Sequence, residues 1–312
     1  MMVWELLEAL ERGERDRKPV EVEGLRFTHL DRVLWPGEGY TKGDLVRYYV
    51  RVAEAMVRHV EDRALMLKRY PRGVEGKGIV QQRARWPAPD KVRTAELPMA
   101  GGERVRRYVG GRATLLFAAQ LSAVEIHTWH SRVTAPSRPD WIVLDLDPSP
   151  GVGFGKVVRV ARALRARLQE VGLDALVKTS GSRGLHLYVP TGGRADYRMA
   201  ATLARLLAER VAEAESGLAT VERTVSARGA RVYIDHLQNA RGKVAVAPYS
   251  VRARPGAPVS APVAWEEVVE GLEPQQFRLR DVPARLEQVG DLWAGAFRPA
   301  GDLAAAIEAL RG

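Results

Sequence analysis

Two acids in an apolar strand are the first residues with chemistry to do. Asp145 and Asp147 stand in WIVLDLDP (141–148), where the strand period of two sends both carboxylates to one face with Val143, while Ile142, Leu144 and Leu146 point the other way. Two like charges about 7 Å apart on such a strand call for compensation. A divalent cation supplies it, since Mg²⁺ and Mn²⁺ take carboxylate oxygens and two ions about 3.5–4 Å apart can share such acids. A solvent-facing strand end beside Pro148 would tolerate the same pair. Asp235, flanked by Val232, Ile234 and Leu237 in RVYIDHL (231–237), is a third acid of the same kind. Three strand carboxylates are what two-metal phosphoryl transfer requires, two to bridge the ions and one to complete the shell nearer the attacking oxygen. Spacing alone does not make the two strands neighbours.

SGSRGLH (180–186) gathers hydroxyls, glycines, a guanidinium and an imidazole within one turn. Consecutive amides and an arginine can aim at one phosphate, although an ordinary hairpin turn has the same composition. After the third acid, HLQNARGKVAVAPYSVR (236–252) offers Gln238, Asn239, Arg241, Lys243 and Arg252, of which one or two would clamp a triphosphate and the rest be solvated. His127 lies on a strand pattern beside Trp129 and His130, where a lone histidine is more often a satisfied core or surface residue than a functional one.

Composition removes other chemistries. The 312 residues contain no cysteine, which excludes disulfides, thiolate metal sites and thiol catalysis. There is no G-x-x-x-x-G-K-[ST] phosphate loop, no G-x-S-x-G nucleophile elbow and no H-x-x-x-H zinc spacing. With 48 Lys+Arg against 38 Asp+Glu the net charge is +10, which favours polyanionic partners, nucleic acid first. Arginine dominates this excess, and arginine usage also follows genome composition. No apolar run reaches the roughly 20 residues of a membrane span, and the start lacks a signal-peptide core, so a soluble, cytoplasmic protein is expected.

The elements that must position these residues alternate. Residues 1–19 open helically, and Val20, Val22, Leu25 and Phe27 suggest a hairpin. Thr41 with Asp44 three residues on starts a helix over 42–60, with Leu45, Tyr48, Tyr49, Val52 and Met56 on one face. Strands are expected at 64–71, 124–129, 141–148, 175–180, 185–190 and 231–237, and helices at 113–123, around 157–168 and at 195–215. Residues 72–112 read as short strands and loops, 253–264 as an extended surface run, and the region beyond Trp265 as short helices. No repeat of 20–50 residues occurs, so the class is α/β.

Taken together, DLD (145–147), SGSRGLH (180–186), YIDHLQN (233–239) and APYSVR (247–252) resemble the primase-polymerase domain of bacterial ligase D, from the archaeo-eukaryotic primase superfamily. THLDRVLWPGEGYTKGDLVRYY (28–49), LKRYPRGVEG (67–76) and VEIHTW (124–129) are similar to that family's opening blocks in the same order, so the likeness runs from about residue 20 to 300. It implies an α/β (α+β) primase-polymerase fold in one domain over 1–312, with a mixed or antiparallel RRM-like catalytic sheet at about 126–255, an N-terminal α/β module at about 1–125 and a C-terminal wrapping segment at 256–312.

It also implies a DNA-dependent nucleotidyltransferase, a polymerase of primase type, working in non-homologous end joining. Asp145 and Asp147 would ligate both metal ions, with Mn²⁺ preferred to Mg²⁺, and Asp235 the ion nearest the primer. Ser180, Ser182, Arg183 and His186 would hold the triphosphate of an NTP or dNTP together with Gln238 and Arg252. Lys243 is assigned to the same group, with Lys68 and His127 near the incoming nucleotide and ribonucleotides preferred. His29, Arg32 and Lys42 would grip a 5′-phosphate at the DNA end, and Arg228 would steady the primer terminus. His29 and Arg32 stand where the family typically has Asn and Lys, Arg183 where Lys is usual, and Ile79 and Val80 where two aromatic residues often stack on template bases. With no ligase sequence following, a separate ATP-dependent DNA ligase and a Ku-like protein are expected as partners. A non-catalytic end-binding module, a primase that starts chains de novo and a metal-dependent phosphohydrolase are the alternatives.

Overall fold

In the computed structural model, residues 2–85, 88–99, 102–295 and 301–312 are described. The loops expected at 86–87 and 100–101, and part of the C-terminal segment at 296–300, lie outside these residues. The chain forms two compact units, the first from Met1–Thr128, Val246–Ser260 and Phe277–Asp291, the second from Trp129–Ala245, Ala261–Gln276 and Leu292–Gly312. The C-terminal stretch is therefore shared between the two units.

The first unit opens with α1 (Val3–Arg15), a hairpin of β1 (Val20–Val22) and β2 (Leu25–Phe27), and a second of β3 (Val33–Trp35) and β4 (Tyr40–Thr41). Then come α2 (Lys42–Val60), β5 (Arg63–Arg69), β6 (Ile79–Gln81), β7 (Thr94–Pro98), β8 (Arg104–Tyr108), α3 (Arg112–Gln120) and β9 (Ala123–Arg132, which passes into the second unit at Trp129). Helix α2 starts where its capping residues dictate: Thr41 Oγ1 accepts from Asp44 N at 3.1 Å, and Asp44 Oδ2 accepts from Thr41 N at 2.8 Å. Such a cap is worth about 1 kcal/mol. Its apolar face is fully buried at Leu45, Tyr49, Val52 and Met56.

The second unit contains β10 (Trp141–Pro148), α4 (Phe154–Glu170), β11 (Leu176–Thr179), β12 (Leu185–Pro190), α5 (Tyr197–Ala214), β13 (Ala219–Thr220), β14 (Val232–Asp235), β15 (Val244–Val246, whose last residue falls in the first unit) and β16 (Pro262–Val263). Helix α6 (Val282–Val289) lies in the first unit and α7 (Leu303–Arg311) in the second. Six strands form the sheet β13-β14-β10-β12-β11-β16, antiparallel except for the parallel pair β13/β14. A second sheet runs β15-β9-β5-β6. The fold is thus mixed helix and sheet, with the mixed, largely antiparallel sheet that the resemblance implied.

Strand β10 divides its side chains as its alternation requires. Ile142, Leu144 and Leu146 are fully buried, and α4 and α5 pack against this strand. On the other face Trp141 and Val143 join Tyr188, Ala245 and Trp293 in an apolar cluster. Trp141 meets Tyr188 edge-on at 5.2 Å, and Tyr188 lies 4.9 Å from Trp293, each pair adding about 1 kcal/mol beyond the area it buries. Asp145 and Asp147 extend that same face past the end of the cluster. Burial of their apolar neighbours holds the acids on a rigid strand.

The extended run expected at 253–264 lies at the surface only in its first residues, where Arg254 and Pro255 are exposed. Ala257, Val259, Ser260, Ala261 and Val263 are buried, because the stretch is apolar and its backbone is paired. Val259 N donates to Phe277 O at 2.7 Å in the first unit, and Thr179 N donates to Ala261 O at 2.9 Å in the second.

Candidate active site

Asp145, on β10, is the register partner of Asp235, on β14, and also of His186, on β12. His186 is in turn the partner of Lys178, on β11. One row across four strands therefore reads Lys178, His186, Asp145, Asp235, with all four side chains on one face, and Asp147 stands opposite Tyr233. His186 Nε2 lies 3.2 Å from Asp145 Oδ1. Asp235 accepts from Leu237 N at 2.8 Å, from Gln238 Nε2 at 2.9 Å and from Tyr233 Oη at 3.4 Å. Arg228 lies over the Tyr233 ring at 3.9 Å, which links the turn bearing Arg228 to the strand bearing Asp235.

Burial, and after it the charges of Asp145 and Asp235, push the Asp147 carboxyl up to about 6, against the pull of Arg183 and Arg228. Repulsion that protein cations leave uncompensated is what a bound divalent cation relieves, and three carboxylates are the donor set a hard cation prefers. The residues fit such an ion in charge and donor type. Among the described residues no three acidic or histidine side chains stand together in an arrangement that could hold a metal ion; Asp145 is turned to His186 and Asp235 to Leu237 and Gln238.

The turn at 180–184 is held against the acids. A Cβ on Gly184 would fall 1.9 Å from Leu146 O, the carbonyl between the two aspartates, so only glycine lets the turn approach this closely. Ser180 Oγ accepts from Ser182 N at 3.1 Å and Gly184 N at 3.0 Å, so these two amides brace the turn and are not turned outward. Gln275 Nε2 donates to Ser182 O at 2.7 Å. Arg183 is exposed, and so is Lys243.

In the first unit a different carboxylate organises the predicted nucleotide-binding cations. Glu125 is 4% exposed; its oxygens lie 3.2 Å from His127 Nε2, 3.6 Å from Lys68 Nζ and 3.5 Å from Arg252 Nε, and accept from Ala253 N at 3.3 Å. Although burial opposes ionisation, His127, Arg252 and Lys68 together hold this carboxyl down to about 2. Val80, on β6, pairs with Lys68, and Ile79 with Arg69; both aliphatic residues are exposed.

Of the three residues assigned to a 5′-phosphate, Lys42 and His29 meet Thr28 in the first unit, and Arg32 meets Pro71. Lys42 Nζ donates to Thr28 O at 2.6 Å, His29 Nδ1 is 3.1 Å from Thr28 Oγ1, and Arg32 Nη1 donates to Pro71 O at 3.1 Å. Burial, then Arg32 and Arg69, lower the Lys42 ammonium to about 8.

Glu125, Lys178 and Tyr233 were not picked out from the sequence as site residues. The alternation that puts Glu125 on the His127 face was a usable signal; for Lys178 there was none. Asn239, a candidate clamp, is instead structural: it is buried, its Oδ1 accepts from Val143 N at 2.8 Å and its Nδ2 donates to Val143 O at 2.7 Å, continuing the hydrogen bonding of β10.

Known proteins share this arrangement of elements. The family model described as LigD, primase-polymerase domain, matches residues 41–293. The multifunctional non-homologous end joining protein LigD of Mycolicibacterium smegmatis is 34% identical over 274 residues, covering 87% of this chain and 36% of that protein. The bifunctional non-homologous end joining protein LigD of Bacillus subtilis is 31% identical over 277 residues, covering 88% of this chain and 44% of its own length. The chain thus spans less than half the length of these relatives. The polymerase domain of Mycobacterium tuberculosis ligase D, solved in complex with DNA, superposes with a TM-score of 0.83 at 33% identity, covering 89% of this chain and 99% of that one. A sheet that sets Asp145 against Asp235, in a chain matched by this model over most of its length, is thereby accounted for: the chain belongs to the LigD primase-polymerase domain family.

Proposed function

We propose that this chain is a metal-dependent nucleotidyltransferase that extends or fills DNA ends in non-homologous end joining. A primer 3′-hydroxyl attacks the α-phosphorus of a nucleoside triphosphate, ribonucleotides being preferred, and pyrophosphate leaves. The observation that carries this reading is the register of Asp145 against Asp235, with Asp147 two residues along the same face.

Asp145, Asp147 and Asp235 are the residues that would hold two divalent cations, Mn²⁺ or Mg²⁺, whose chemistry is to acidify the attacking hydroxyl and neutralise the leaving phosphates. His186 and Gln238 orient Asp145 and Asp235. The exposed Arg183 presents a fork suited to phosphate oxygens, aided by the Ser180 and Ser182 hydroxyls. Lys68, His127 and Arg252, organised by Glu125, contact the incoming nucleotide, and Lys243 adds positive charge. His29, Arg32 and Lys42 take a 5′-phosphate, and Arg228 meets the primer terminus. An ATP-dependent ligase activity and a Ku-like end-binding protein complete the repair reaction at the nucleoid. Among the described residues no helix is long and apolar enough to cross a membrane.

The test is primer extension on a gapped duplex carrying a 5′-phosphate, with Mn²⁺ and ribonucleotides. Wild-type protein is expected to extend the primer and Asp145→Ala to lose extension while still binding DNA. Full extension by Asp145→Ala overturns the site. Products formed without a primer identify de novo priming, and DNA binding without extension by wild type identifies an end-binding module.

A further inference from the structure

A fully buried lysine stands behind the acidic row. Lys178 is 0% exposed, is the register partner of His186, and places Nζ 2.8 Å from His186 Nδ1. The other ring nitrogen, Nε2, lies 3.2 Å from Asp145 Oδ1. One imidazole is thus pinned at both nitrogens, by a group that can only donate on one side and a group that can only accept on the other. An ammonium has three donors and no acceptor, so it requires the Nδ1 lone pair and leaves the ring proton on Nε2. The Nε2–H then donates to the carboxylate. The opposite tautomer would turn a lone pair onto Asp145 and an N–H onto the ammonium, losing both bonds.

Burying an ammonium is costly without partners. The Nδ1 acceptor and the Tyr188 ring at 5.6 Å are among the partners here. An apolar side chain of similar length would fill the same space without that cost, whereas an amine here can hold His186 Nδ1.

We propose that Lys178 is a positioning residue: it holds His186 as the Nε2–H tautomer and through it aims the Asp145 carboxylate. This rests on reading Asp145 as a metal ligand, and assigns its outer support, of the kind whose removal typically costs 10–100-fold in affinity or activity.

The experiment is ¹⁵N–¹H correlation of the histidine rings in metal-free, ¹⁵N-histidine-labelled protein, followed by primer extension. In wild type, His186 is expected with the proton on Nε2. In Lys178→Met the ring partitions between tautomers and extension falls 10–100-fold, whereas Lys178→Gln, which can still donate to Nδ1, restores the Nε2–H form and part of the extension. A wild-type His186 carrying its proton on Nδ1, or on both nitrogens, overturns the proposal, as does an unchanged tautomer in Lys178→Met. Should Lys178→Met fail to fold by circular dichroism, the wild-type spectrum decides the matter by itself. Wild-type protein with the Nε2–H ring but no extension overturns the polymerase reading while leaving the tautomer assignment standing.

Discussion

Asp145 and Asp235 are direct cross-strand partners on β10 and β14, two carboxylates facing each other where a sheet would ordinarily pair opposite charges or apolar groups. Like charges directly opposite destabilise a sheet, and with Asp147 beside them the cost is concentrated on two neighbouring interior strands. Such local conflicts are characteristic of functional sites, where stability is given up for chemistry.

Neutralising one acid should therefore separate stability from activity. Asp147→Asn removes a buried like charge and is expected to stabilise the metal-free protein by about 1–2 kcal/mol while abolishing primer extension. Thermal unfolding in EDTA, alongside the extension assay, checks both parts; a lower melting temperature would contradict the repulsion argument.

Glu125 gives a pH dependence with a definite sign. Its folded carboxyl, at about 2, lies below its ordinary value of 4.5, so its stabilisation is complete above pH 4.5 and is lost as pH falls from there toward 2. At neutral pH this amounts to about 3 kcal/mol. Urea unfolding of wild type and Glu125→Gln should show that difference at pH 7, and the gap should narrow steadily below pH 4.5.

Lys42 gives the opposite kind of dependence, in binding. Because its ammonium is lowered to about 8, it is charged at pH 7 and largely neutral at pH 9. The affinity gained from a 5′-phosphate on a DNA end should fall by up to about tenfold per pH unit above 8. Fluorescence anisotropy with phosphorylated and unphosphorylated ends measures this. In an Arg32→Ala/Lys42→Ala variant, removal of the phosphate should make little difference at either pH.

Gly184→Ala tests the packing of the phosphate turn on the acidic strand. A methyl group 1.9 Å from Leu146 O has to displace backbone, so the 180–184 turn moves away from Asp145 and Asp147. Loss of at least 2 kcal/mol in stability is expected, on the order of other severe steric insertions, with extension reduced more than DNA binding. Differential scanning fluorimetry and the gapped-duplex assay report on the two effects.

The local features of this protein were legible in its sequence because they depend on neighbours within a few residues. The Thr41/Asp44 capping box marked the start of α2 to the residue. The alternation of WIVLDLDP placed Asp145 and Asp147 on one face of a strand observed as Trp141–Pro148. Glycine and serine marked the 180–184 turn. What required the tertiary structure is everything set by strand order and register. These arise from contacts between distant segments, and a shift of one residue would turn a whole strand over. That register brings Asp235 opposite Asp145 and lines up His186 and Lys178 behind it. Burial is equally non-local. It turned the proline- and alanine-rich run around 257–263 into core, made Asn239 a backbone clamp, and gave Glu125 command of Lys68, His127 and Arg252, which the sequence presents only as separate side chains.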